Sequence, residues 1–135
     1  MLPRFIFGIV ALIFAFYLEV SAVSIVYGHI NPTDVIIGNE YVHSKAGRGV
    51  QSTYTKFVKF PKEGQQNNVP ISGIQIEDFG HPNNLGLNYL REGGPGKTFA
   101  TIEIMSQKSK PINMLIMFYG ETIPKLNNTK FNRIF

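Results

Sequence analysis

Residues 98–105 read Thr-Phe-Ala-Thr-Ile-Glu-Ile-Met, and residues 112–119 read Ile-Asn-Met-Leu-Ile-Met-Phe-Tyr. In an extended chain successive side chains point to opposite faces. The first segment then puts Thr98, Ala100, Ile102 and Ile104 on one face and Phe99, Thr101 and Glu103 on the other. The second is apolar on both faces, with Ile112, Met114, Ile116 and Phe118 against Leu115, Met117 and Tyr119. Such a segment belongs inside a sheet, since at an edge one row would meet water. Together they predict an antiparallel sheet with the second segment as a central strand.

The surrounding chain supports the same reading. Beyond residue 22, β-branched residues are frequent, whereas Ala stands only at 46 and 100. That balance suits a pleated surface and not a helix. Gly, Pro and Asn recur at short intervals as turn signals. Further strands are expected at Ser24–Ile30, at Val35–Val42 with an interruption at Gly38-Asn39, and over a long alternating segment Gly49–Phe60. Two more are expected at Ile71–Phe79, with a bulge at Gly73, and at Leu85–Leu90. The prediction is an all-β fold, a single-domain antiparallel sandwich or small barrel of about seven or eight short strands.

The N-terminal end differs. Arg4 precedes an uncharged run, Phe5–Leu18, about 21 Å long as a helix and short of the ~30 Å hydrocarbon core. It has the form of a secretory signal peptide, with small residues at Val20-Ser21-Ala22 for cleavage after Ala22. Ser24 offers a second cleavage point. An uncleaved anchor running to Val26 would carry Glu19 in its middle, a poor span. The expected organisation is a helical signal peptide at 1–22, a β-rich domain at 23–123 and a polar, flexible tail at 124–135. A secreted protein, free of the membrane after cleavage, follows.

The full chain has 135 residues, 13 Lys plus Arg against 9 Asp plus Glu, and no cysteine. The absence of Cys excludes a disulfide scaffold, a thiol nucleophile and cysteine-ligated metals. A net charge of +4 is too small for a dedicated nucleic-acid arm. Lys45, Arg48, Lys56, Lys59 and Lys62 form a stretch without acids that holds Tyr54, Phe57 and Phe60. Within it Lys56, Lys59 and Lys62 are candidate ligands for an anionic partner, although Lys56 and Lys59 have opposite strand parity. Solvated edge lysines that discourage aggregation explain them more simply.

Catalytic patterns are wanting. Gly93-Gly94-Pro95-Gly96-Lys97-Thr98 imitates the end of a phosphate loop, but Arg91 stands where the leading glycine belongs and a strand pattern follows. It reads as a tight turn. His29, His43 and His81 lack metal-ligand spacing. Glu77 and Asp78 would point to opposite faces of a strand, so they form no catalytic pair. No cofactor, metal site or enzymatic activity is expected. Asn127-Asn128-Thr129 is the usable glycosylation sequon, because Pro32 spoils Asn31-Pro32-Thr33.

Several blocks carry a family resemblance: Tyr54-Thr55-Lys56 leading to Phe60-Pro61-Lys62, then Ile71-Ser72-Gly73-Ile74 and Glu77-Asp78-Phe79. Gly93-Gly94-Pro95-Gly96 follows, then Thr101-Ile102-Glu103-Ile104, Ser106-Gln107-Lys108 and Phe118-Tyr119-Gly120. In order and spacing these resemble the insect multiprotein bridging factor type-two family, also described as salivary secreted peptides, from about Ile25 to Gly120. The resemblance implies one of two roles. One is a secreted, non-enzymatic protein binding an unknown partner through its surface. The other is a transcriptional coactivator that bridges a DNA-binding activator and the general transcription machinery. The family supplies no catalytic residues. A third role, an extracellular carrier of a small apolar ligand, would need a cavity lined by residues such as Ile102, Ile104, Met114 and Phe118.

Overall fold

A computed structural model describes residues 22–45 and 52–122. Its strands are β1 (Val23–Gly28), β2 (Val35–Ser44), β3 (Thr55–Phe60), β4 (Gly73–Asp78), β5 (Leu87–Gly93), β6 (Ala100–Met105) and β7 (Ile112–Gly120). A single 3-10 turn, Pro82–Asn84, lies between β4 and β5. The strands form a four-stranded sheet in the order β1-β4-β7-β2 and a three-stranded sheet in the order β3-β6-β5, antiparallel throughout. The two sheets pack as an open sandwich and do not close into a barrel. The leader, Arg48, residues 49–51, the tail and the Asn127 sequon lie outside the described residues.

One face of each sheet supplies the core. From the larger sheet come Val42, Ile74, Ile76, Ile112, Met114, Ile116 and Phe118; from the smaller come Val58, Phe60, Ala100, Ile102 and Ile104. Each fully buried aliphatic side chain of this kind contributes roughly 1.5–3 kcal/mol. Phe60 stacks on Phe118 across the sandwich, with ring centroids 4.5 Å apart. Ile102, Ile104, Met114 and Phe118 are all members of this packed core.

The predicted central strand lies between β4 and β2, away from both edges. Its second row, Leu115, Met117 and Tyr119, is only half-buried, because no further layer of the described residues covers that face. Three local expectations need correction. Gly73 makes no bulge; a side chain there would strike Ile30, which packs 2.6 Å from the Cβ position. The irregularities fall between Ile36 and Gly38 and between Leu90 and Glu92. The bulge near Arg91 lets β5 run on to Gly93 beyond its expected end. The third strand begins only at Thr55; before it, Tyr54 O accepts from Ser106 N–H and Tyr54 N–H donates to Ser106 Oγ, each at 2.8 Å.

Loops are fixed by side-chain acceptors. Asp78 faces inward, and its two carboxylate oxygens accept from Gly80 N–H and Gly86 N–H, each at 2.8 Å. That brace holds both ends of the β4–β5 connection. Asp34 Oδ2 accepts from Asn31 N–H and from Ser72 Oγ, both at 2.7 Å, tying the β1–β2 connection across the end of the larger sheet.

Candidate binding surface

β3 and β6 present Thr55, Phe57, Lys59, Thr101, Glu103 and Met105 on the outer face of the smaller sheet; Leu87 and Tyr89 join them from β5. Register aligns Phe57, Glu103 and Tyr89 in one row and Thr55, Met105 and Leu87 in the next. Phe57 and Tyr89 are therefore two strand spacings apart, about 9–10 Å. Phe57 is 54% exposed, Tyr89 42%, Leu87 45% and Phe99 46%. Such large apolar side chains beside one another on a strand-built, rigid face are unusual for surface that meets only water.

Arg91 organises the middle of the row. Its Cζ lies 4.9 Å from the centre of the Tyr89 ring. Its Nε donates to Glu103 Oε2 at 2.6 Å, while a terminal nitrogen forms an ion pair with the same oxygen. Glu103 is thereby screened beneath the guanidinium and leaves the two aromatics as the protruding groups. Sequence reasoning placed Phe99 and Glu103 on one face but missed this assembly. No spacing rule pairs Arg91 with Glu103, because the bulge shifts register between Leu90 and Glu92.

The candidate lysines border this face at the β3 edge. Lys56 Nζ lies 2.8 Å from Glu40 Oε1, and Lys62 Nζ lies 3.0 Å from Glu40 Oε2. Hydrogen bonds from Lys56, then Lys62, hold the Glu40 carboxyl below its ordinary value. Lys59 points to the outer face, opposite in parity to Lys56 as expected, and has no ion pair among the described residues. The structure thus gathers the three lysines along one open groove lined also by Phe57 and Glu63, but joins two of them to an acid contributed by β2. The basic stretch is acid-free in sequence and not in space.

Among the described residues no three His, Asp or Glu side chains gather as a metal site. Glu77 and Asp78 do fall on opposite faces, the second serving the loop brace above. Gly94-Pro95-Gly96-Lys97 closes a four-residue turn, with Lys97 N–H donating to Gly94 O at 2.9 Å and Gly96 at φ +86°. Proline followed by a positive-φ glycine is the arrangement of a type II turn. The amides that a phosphate loop would offer are otherwise engaged: Gly96 N–H donates to Ile71 O at 2.7 Å.

The exposed row and the lysine groove form an arrangement suited to binding. Residues 27–120 match the family model described as Transcription activator MBF2. No curated protein and no solved structure matches the chain.

Proposed function

The chain belongs to the MBF2 transcription activator family, and on that premise we propose that it is a secreted, non-enzymatic protein that binds a protein partner through the outer face of its three-stranded sheet. The observation that carries the reading is the exposed row Phe57–Glu103–Tyr89, flanked by Leu87 and Phe99. Aromatic and Arg side chains dominate the centres of protein interfaces, because they bury much area at small entropic cost. Lys59 and the groove beside it give the same face a basic rim, which suits a partner with acidic groups. Secretion is supported by Arg4, the apolar run Phe5–Leu18 and the small residues Val20-Ser21-Ala22.

Two measurements test the reading. Protein recovered from expressing insect cells is sequenced from its N-terminus; a start at Val23 in the medium supports secretion, and a full-length product confined to the nucleus ends it. Proximity labelling then compares the wild type with Phe57→Ala/Tyr89→Ala. The proposed face predicts partners lost by the variant at unchanged melting temperature, since exposed substitutions alter stability by only about 0.5 kcal/mol. An identical partner set would move the binding site elsewhere.

The family's description favours a second reading, a transcriptional coactivator. It requires the leader to be retained or bypassed, and the nuclear full-length product above is its signature.

A further inference from the structure

β1 is an edge strand of the larger sheet. Two alternations say which of its backbone groups are used. Phe79 N–H donates to Asn113 O, in the β4–β7 register, so the odd residues of β4 bond to β7 and the even ones to β1. His29 N–H donates to Ser72 O, which places the β1–β4 bonds at Val23, Ile25 and Tyr27. Both give the same answer. Ser24, Val26 and Gly28 therefore aim their N–H and C=O groups away from β4, and among the described residues no strand receives them.

The other three edges carry features that oppose strand addition. β2 has the irregularity at Ile36/Gly38 and the charge of Glu40. β3 has Lys56 and Lys59. β5 has its bulge with Arg91 and Glu92. β1 reads Val-Ser-Ile-Val-Tyr-Gly, without charge, proline or bulge. Val23, Ile25 and Val26 are 38%, 41% and 49% exposed.

We infer that β1 pairs antiparallel with β1 of a second copy of this chain, joining two four-stranded sheets across a two-fold axis. A second copy is the occupant the charges favour. Self-pairing at β2 or β3 would oppose like charges, whereas at β1 it opposes none. The regular edge stops before Gly28, whose φ of +78° departs from extended geometry at the end of the strand. The open groups are then those of Ser24 and Val26. Opposing Ser24 to Val26 of the second copy satisfies four of these backbone groups on each chain and sets Ile25 on the axis, facing its own counterpart. This pairing is independent of the binding face proposed above, which lies on the other sheet.

Sedimentation equilibrium of the purified protein, from about 1 µM to about 1 mM, gives the first readout. The wild type is expected to shift from monomer to dimer in that range, and Val26→Lys to stay monomeric with an unchanged β-sheet circular dichroism spectrum. Val26→Pro removes the outward donor itself; if it fails to fold, Val26→Lys decides. A wild type monomeric throughout, or a Val26→Lys dimer as tight as the wild type, overturns the proposal. The chain has no cysteine, so single substitutions report the register. Ile25→Cys should oxidise to a covalent dimer at least tenfold faster than Ser24→Cys, since residues facing across the axis lie within disulfide reach. Equal rates would refute the stated register.

Discussion

Gly38 stands where it does because Phe60 fills the space of its side chain. A Cβ there would strike the Phe60 ring, itself stacked on Phe118 in the core. Gly38→Ala should therefore cost about 1–3 kcal/mol by overpacking, read from the thermal midpoint. Asp78→Ala leaves Gly80 and Gly86 N–H without their acceptor and should cost a similar amount, about 1–3 kcal/mol. Asp34 and Glu40 give stability its pH dependence. The Ser72 hydroxyl and the Asn31 amide hold Asp34 below its ordinary 3.8, and the two lysines hold Glu40 below its ordinary 4.5. Both carboxyls bind protons more readily in the unfolded chain than in the folded one. Their contribution is full above the ordinary carboxyl range and is lost as the pH falls through it and below. The urea midpoint should accordingly drop below about pH 4.5, and less steeply in Glu40→Gln. The Glu40 pairs are partly solvated and worth at most about 1 kcal/mol each, so Asp34→Asn is the necessary companion measurement.

At the scale of strands and turns, the β5–β6 turn separates conformation from contact. Gly94 and Gly96 both have positive φ, but a side chain at Gly96 meets open space and one at Gly94 meets Leu90 at 2.6 Å. Gly96→Ala should cost about 1–2 kcal/mol for backbone strain alone, and Gly94→Ala more. Such turns are why the strands were readable: period two between Gly and Pro marks located all seven. β7 was identified as interior from its two apolar rows, because burial needs no knowledge of partners. Partnership itself was not readable. Nothing local says that β3 leaves the sheet of β2, or that Glu40 reaches Lys56 and Lys62, or that Arg91 covers Glu103. Each of those contacts depends on register between distant segments, and a bulge of one residue shifts it. The family blocks carry the same lesson in reverse: Ser106 with Tyr54, the Asp78 brace and the Gly-rich turn hold the frame. The exposed aromatics sit between them.

For the molecule as a whole, charge and topology set the behaviour. If the β3 edge meets polyanions, Glu40→Gln frees two lysines at once and should elute from heparin at higher salt than Glu63→Gln, which changes net charge equally. Coincident elution would remove the edge as a polyanion site and leave only net charge. Topology has a consequence in time. β7, the last strand of the described fold, lies inside the larger sheet, and β2 and β4 both bond to it. Until Gly120 has been synthesised, β2 has no neighbour and β4 has only β1, while the three-stranded sheet already has every strand it needs. A nascent chain stopped at Pro111 should thus remain sensitive to protease across Val35–Ser44, and one released past Gly120 should not. The ribosome must deliver the centre of this sheet after its borders, so half of the sandwich waits, unfolded, for its final nine residues.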